Sequence, residues 1–171
     1  RAKAWYDAEA AWPVTDIQLL DATEAGERIG VDGVLGATWQ PHCARVHPAK
    51  LVRGLAEACV RAGVELYEDT TVLAIDPGQA RTPLGTVRAP AIVRATEGFT
   101  PMLRGQHRRL LPMNSSMIVT EPLPAEIWDA IGWRGGEVVG DFAHVYSYAQ
   151  RTADDRIAFG GRGVPYRYGS R

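Results

Sequence analysis

Between residues 48 and 62 the apolar side chains return at helical spacing, with Leu51, Val52, Leu55, Cys59 and Ala62 on one stripe. Pro48 suits a first helical position, where its missing N–H is not needed, and Gly63 stands where a left-handed cap is expected, so the pattern predicts a helix over 48–62. Elsewhere the period shortens. "VELYEDTTVLAID" is rich in β-branched and aromatic residues and predicts a strand, and "TVRAPAIVRAT" predicts two shorter ones around Pro90. "LLPMNSSMIVTEPL" predicts another, bounded by Pro112 and Pro122. Residues 1–12 read as a helix broken at Pro13, and "DIQLLDATEAGERIG" as an extended segment passing into a short helix that ends near Gly30. "GVLGATW" alternates loosely, as a strand would. "PAEIWDAIGW" is a short helix, and "EVVG", "HVYSYAQR" and "RIAFGG" complete an antiparallel set that turns at "TADD".

These elements define an α+β chain. Helix–strand alternation gives way near residue 100 to a strand-rich tail, which marks the expected domain boundary. Residues 101–168, with part of 14–40, are expected to form one largely antiparallel sheet with helices on one face, and 48–98 a separate helix-plus-strands unit. With 171 residues, 46% of them hydrophobic, and a formal net charge of -1, the chain can bury a globular core and offers no field for a polyanion, so a nucleic-acid partner is not expected. No apolar run approaches the roughly 18 residues that span a bilayer, and no signal-peptide pattern opens the chain, which reads as cytoplasmic with no membrane partner. Cys43 and Cys59 are too few for a disulfide framework. The opening "RAKAWYDAEAAW" has no initiator methionine and reads as the middle of a helix, so a piece of a larger protein is expected.

Most candidate chemistry has an ordinary explanation. "HCARVH" gathers His42, Cys43 and His47, but zinc wants about four ligands and His107 and His144 lie in unrelated segments, so no metal site is expected. Ser115 and Ser116 sit inside a strand pattern without the G-x-S-x-G elbow of a nucleophilic serine. Asp154 and Asp155 fall at a hairpin tip, where aspartate bonds its own backbone. "GGRG" lacks the lysine, hydroxyl and following helix of a phosphate loop. Tyr146 and Tyr148 are two apart and share a face of a regular strand. They form either a wall able to hold a small amine or carboxylate or a half-buried face packed by a helix. On such a strand Arg151 lies on the opposite face, and a bulge would be needed to bring it round.

Taken together and in order, "RVHPAKLVRGLAEACVRAGVELYEDTTVLAID", "VRAPAIVRATEGFTP", "LLPMNSSMIVTEPL" and "YAQRTADDRIAFGGRG" resemble the central part of the D-amino-acid-oxidase-like family of FAD-dependent oxidoreductases, which includes glycine, sarcosine and γ-glutamylputrescine oxidases. The resemblance covers about residues 30–168. It implies an antiparallel substrate-domain sheet with flanking helices plus part of an FAD-binding α/β domain. Residues 1–47 and 101–171 would belong to the substrate domain and 48–100 to the FAD domain. It further implies that the backbone of Val72 meets the adenine of FAD, that Ala95, Thr96 and Gly98 lie beside the diphosphate with Glu97 departing from the family's plain turn, and that Gly160 and Gly161 return the chain toward the cofactor. Tyr146 first and Tyr148 second would face the substrate, and Arg151 would bind its carboxylate or remain a hairpin arginine.

The implied parent oxidises the C–N bond of a small amine or amino acid, with no acid–base residue of this chain assigned. The family's G-x-G-x-x-G does not occur in these 171 residues, so the chain alone is expected to bind no FAD, to be inactive and to self-associate through the helix at 48–62. The alternatives are a non-catalytic α+β binding domain without cofactor and, more remotely, a hydrolase using Ser115 or Ser116.

Overall fold

The computed structural model describes residues 1–165, so the last six residues of the strand-rich tail lie outside it. The chain divides into two compact units, one built from Arg1–Val46 and Ser115–Arg162, the other from His47–Asn114 and the chain from Gly163.

The first unit opens with helix α1 (Ala2–Glu9). Strand β1 (Gln18–Leu20) leads directly into helix α2 (Ala22–Arg28), because Asp21 accepts from the Glu24 N–H at 2.9 Å while the Glu24 carboxylate accepts from the Asp21 N–H at 2.9 Å. This reciprocal capping box satisfies two otherwise orphaned donors. Strand β2 (Ala37–Trp39) pairs antiparallel with β1. These two strands form their own ladder rather than joining the sheet of the carboxy-terminal half, which corrects the single sheet expected from sequence. The main sheet has the order β6 (Met113–Val119), β9 (Ile157–Pro165), β8 (Ser147–Arg151), β7 (Val138–Gly140), with β8 antiparallel to both neighbours. Helix α4 (Ala125–Ile131) connects β6 to β7.

The core of this unit is aromatic. Trp128 of α4 and Trp133 just beyond it are 5% and 4% exposed and meet edge to face at 6.2 Å, with Ile29 against them. Val139, Ala149 and Ile157 pack on this cluster from β7, β8 and β9. Both indole N–H groups are satisfied by carbonyls, Trp128 by Leu123 at 3.1 Å and Trp133 by Glu137 at 3.2 Å, so the burial carries no orphaned donor.

The second unit begins with helix α3 (Pro48–Arg61), within one residue of its expected span. Gly63 takes the left-handed φ of 89° that a non-glycine residue adopts only with strain. No residue of α3 is buried, and Leu55 is 63% exposed. A three-stranded antiparallel meander follows, β3 (Ala74–Asp76), β4 (Gln79–Thr82) and β5 (Gly85–Arg88), and then a 3-10 helix at Glu97–Met102. Two expectations fail here. Most of "VELYEDTTVLAID" forms no strand, since only 74–76 find a ladder partner, and the segment after Pro90 forms none. β-Propensity marks residues that fit a pleated surface, and a strand exists only where another backbone pairs with it.

Stability should follow this partition. Trp128→Ala is expected to cost about 3–5 kcal/mol, while Leu55→Ala on the uncovered α3 stripe should stay within about 0.5 kcal/mol. Denaturant midpoints for the two variants check the contrast, and comparable losses would show that α3 is packed.

Candidate functional site

The β8–β9 register runs without a bulge from Ser147 opposite Gly161 to Arg151 opposite Ile157. Alternation then decides where the chemistry-bearing side chains go. Ala149 and Arg151 share the face that meets the tryptophans. The Arg151 guanidinium lies over the Trp128 ring at 4.2 Å, Nη1 donates to the Trp133 carbonyl at 3.1 Å, and Nε and Nη2 donate to Asp155 Oδ1 at 3.0 and 2.5 Å. Its own carbonyl accepts from Arg45 Nη1 at 2.6 Å. Arg151 is thus brought into the core network and not beside the tyrosines.

Tyr148 takes the other face. Its ring lies across the backbone of Gly160, its cross-strand partner, in the space a side chain at 160 would fill. Glycine leaves room for the phenol there, since a Cβ would overlap its ring and force it to move. Tyr146 precedes β8 by one residue, and its ring centroid lies 6.1 Å from that of Tyr148 with a 32° interplanar angle. The Tyr146 side chain is open to solvent, 46% exposed, while its backbone is fixed: the carbonyl accepts from the Arg162 N–H at 3.3 Å. A Cβ at Gly161 would only touch that carbonyl at an ordinary 3.5 Å. Tyr146, Tyr148, Gly160 and Gly161 therefore form one cluster.

The loop that carries Tyr146 is closed by a carboxylate that sequence reasoning missed. Asp141 Oδ1 accepts from the Ala143 N–H at 2.9 Å and the Ser147 N–H at 3.2 Å, and Oδ2 accepts from the Ser147 hydroxyl at 2.6 Å. The Asp141 N–H in turn donates to the Ser147 carbonyl at 3.0 Å. The Ser147 hydroxyl, aided by the Ala143 and Ser147 N–H groups and opposed by slight desolvation, holds the Asp141 carboxyl below the ordinary carboxylate range. An aspartate opening a short loop between two strand patterns was the available signal. Asp154 is lowered likewise, first by the Thr152 hydroxyl and then by Arg156, inside the expected turn at 152–155.

The remaining candidates lie in the second unit. Val72 is half-buried and outside any strand, and among the described residues its backbone N–H and C=O carry no hydrogen bond. Ala95 is exposed, and Thr96 precedes the 3-10 helix, where its carbonyl accepts from the Phe99 N–H at 2.9 Å and its hydroxyl meets that of buried Thr100 at 2.8 Å. Glu97 occupies the left-handed region at φ 38°, unusual for a glutamate. The N–H groups of Glu97 and Gly98 open this helix and have no acceptor within it. A Cβ at Gly98 would meet only Pro112, at 3.9 Å. Elsewhere, His42 Nε2 pairs with Asp16 at 2.7 Å and His47 Nδ1 caps α3 by accepting from the Lys50 N–H at 3.3 Å. Among the described residues no three His, Cys, Asp or Glu side chains gather to hold a metal, and no helix is long and apolar enough to cross a membrane.

The mixed helix and antiparallel-sheet architecture is shared with amino-acid oxidoreductases of known structure. Glycine oxidase from Geobacillus kaustophilus matches with a TM-score of 0.68 at 22% identity, over 98% of this chain and 45% of that one. L-proline dehydrogenase from P. horikoshii matches with a TM-score of 0.68 at 19% identity, over 88% of this chain and 42% of that one. The chain belongs to the DAO family of FAD dependent oxidoreductases, whose model matches residues 1–170. Among curated relatives, it is 29% identical over 154 residues to the probable oxidoreductase OrdL of Haemophilus influenzae, covering 85% of this chain. It is 28% identical over 158 residues to γ-glutamylputrescine oxidoreductase of Escherichia coli, covering 88% of this chain. The chain spans 36% of the length of each of these relatives.

The Tyr148–Gly160 contact makes a quantitative demand. Gly160→Ala should destabilise the first unit by about 1–3 kcal/mol, the usual cost of overpacking, and Tyr148→Ala in the same chain should recover most of that loss. Thermal unfolding of the two single variants and the double variant tests this, and additive losses would show that the ring and the glycine do not share the space.

Proposed function

We propose that this chain is the central part of an FAD-dependent oxidoreductase that oxidises the C–N bond of a small amine or amino acid to an imine. The observation that carries the reading is the phenol pair of exposed Tyr146 and half-buried Tyr148 on the side of the β8 strand turned away from the tryptophan core. A surface apolar in body and hydrogen-bonding at its tip suits a small substrate with an alkyl stem and a polar head. Tyr146, the more exposed ring, makes first contact, and Tyr148 supports it from Gly160. In this reading Arg151 keeps its donors on Asp155 and the Trp133 carbonyl and acts as scaffold, and Gly160 serves the phenol rather than the cofactor. Glycine, proline and γ-glutamylputrescine, after which the similar proteins are named, all carry an oxidisable amine, which supports the same class.

Of the residues assigned to FAD, Val72 and Gly98 suit the group, together with neighbouring Glu97. The unpaired backbone of Val72 offers the donor and acceptor that an adenine edge needs, and the Glu97 and Gly98 N–H groups offer donors to a diphosphate. Bound FAD supplies the two-electron acceptor for the oxidation. The chain's own residues bind and orient the amine, and none is assigned a proton-transfer role.

Two measurements test this. In the full-length flavoprotein, Tyr146→Phe should lower kcat/KM about fivefold, the equivalent of one neutral hydrogen bond of about 1 kcal/mol, with unchanged melting temperature. An unchanged kcat/KM with a lower melting temperature would make the phenol a packing residue. The 171-residue chain alone lacks G-x-G-x-x-G, so its affinity for FAD should be millimolar or weaker, roughly -4 kcal/mol. Its open α3 stripe should make it self-associate. Flavin fluorescence titration with sedimentation reads both: stoichiometric binding at micromolar FAD defeats the first, and a clean monomer at high concentration the second.

A further inference from the structure

The phenol of Tyr146 has to be held in place for a substrate, yet its ring packs on little besides Tyr148. Its position is set from below, by the loop at 141–147. Three donors converge on the Asp141 carboxylate, two from Ser147 and one from Ala143, and the Asp141 N–H returns a fourth bond to the Ser147 carbonyl. Ser147 directly follows Tyr146, so the anchored residue is the one that fixes the direction in which the tyrosine leaves the sheet. Three further bonds brace the loop: Arg162 Nη1 to the His144 carbonyl at 3.4 Å and Arg1 Nη1 to the Phe142 carbonyl at 2.8 Å, both made by long exposed side chains, and the Arg162 N–H to the Tyr146 carbonyl at 3.3 Å. Hydrogen bonds to a charged acceptor are about twice as strong as neutral ones. With three such bonds converging on one short side chain, the Asp141 carboxylate is the most heavily bonded point of the loop.

We infer that Asp141, acting through Ser147, is the positioning residue of the substrate site, holding the Tyr146 phenol where an amine or amino acid meets it. The inference rests on Tyr146 lining that site. Asp141 itself touches no substrate. Its role is to remove the freedom of the 142–146 segment before binding, so that the ordering cost is not charged to the substrate. Loss of the clamp therefore appears in KM, because the loop must be ordered anew in each binding event, while the chemical step keeps its geometry once substrate is bound.

The test is a double-mutant cycle in the full-length holoenzyme. Asp141→Ala should raise KM roughly five- to tenfold, the equivalent of one or more hydrogen bonds, with kcat changed less than twofold. The double variant Asp141→Ala/Tyr146→Phe should be no worse than the poorer single variant, since both act through one phenol. Asp141→Asn keeps one acceptor oxygen and should fall between. Should Asp141→Ala not fold, Ser147→Ala, which removes only the hydroxyl bond, carries the same cycle with an effect of roughly two- to threefold, a fraction of one hydrogen bond. Multiplicative losses in the double variant, or an unchanged KM in Asp141→Ala, would overturn the inference. A 19F spectrum of the holoenzyme carrying 3-fluorotyrosine at position 146 reads the ring directly: the line should shift or broaden in Asp141→Ala, and an unmoved line overturns the positioning role. A shifted line together with a silent Tyr146→Phe would instead fault the assignment of Tyr146 to the substrate.

Discussion

The Arg151 guanidinium closes the first unit. It is stacked on the Trp128 ring, bonded to the Trp133 carbonyl and ion-paired with Asp155, and so fastens the helix–loop segment of α4 to the hairpin between β8 and β9. The cation gives up water on one face and recovers it as π contact, on another as carbonyl and carboxylate bonds, so a partly buried charge is left with its donors engaged. Lysine could supply the charge but not the flat, forked geometry that stacks and bonds at once. The tryptophan cluster, the hairpin turn at Asp155 and the register of β8 all meet at this group.

That register has a consequence on the opposite face. Because β8 runs straight to Arg151, its neighbours of the other parity, with Tyr146 just before them, must turn away from the core. A bulge would have exchanged the two faces and brought the arginine beside the phenols. The unit instead separates a cationic, structural face from an aromatic, open one. Gly160 completes the separation by letting Tyr148 lie flat on β9, so that one ring becomes a floor for the other.

The helices and the hairpin were legible in the sequence because their signals are local. Pro48 and Gly63 bracket α3, and "TADD" sits where the turn is. The face assigned to Arg151 followed from counting by two. What the sequence hid was pairing: "VELYEDTTV" and the segment after Pro90 have strand composition but no partner among the described residues, while β4, lacking such composition, pairs on both sides because "DPGQ" and "TPLG" turn the chain back on itself. The roles of Asp141 and Gly160 were hidden for a related reason, since each is defined by a residue several positions away that only the folded backbone brings close. Tyr146 and Tyr148 were singled out for a substrate and Gly160 and Gly161 for the cofactor, but the contacts that gather the four into one cluster were not legible.

The backbone of Tyr146 is held by Arg162 and by the loop beneath it, while its ring contributes almost nothing to the core. Such a position can be rewritten. Another side chain can stand there without the sheet registering the exchange, so a lineage could vary the chemistry displayed at this point at negligible risk to folding. The neighbouring Tyr148 has less freedom, because its ring occupies the space that any side chain at Gly160 would need.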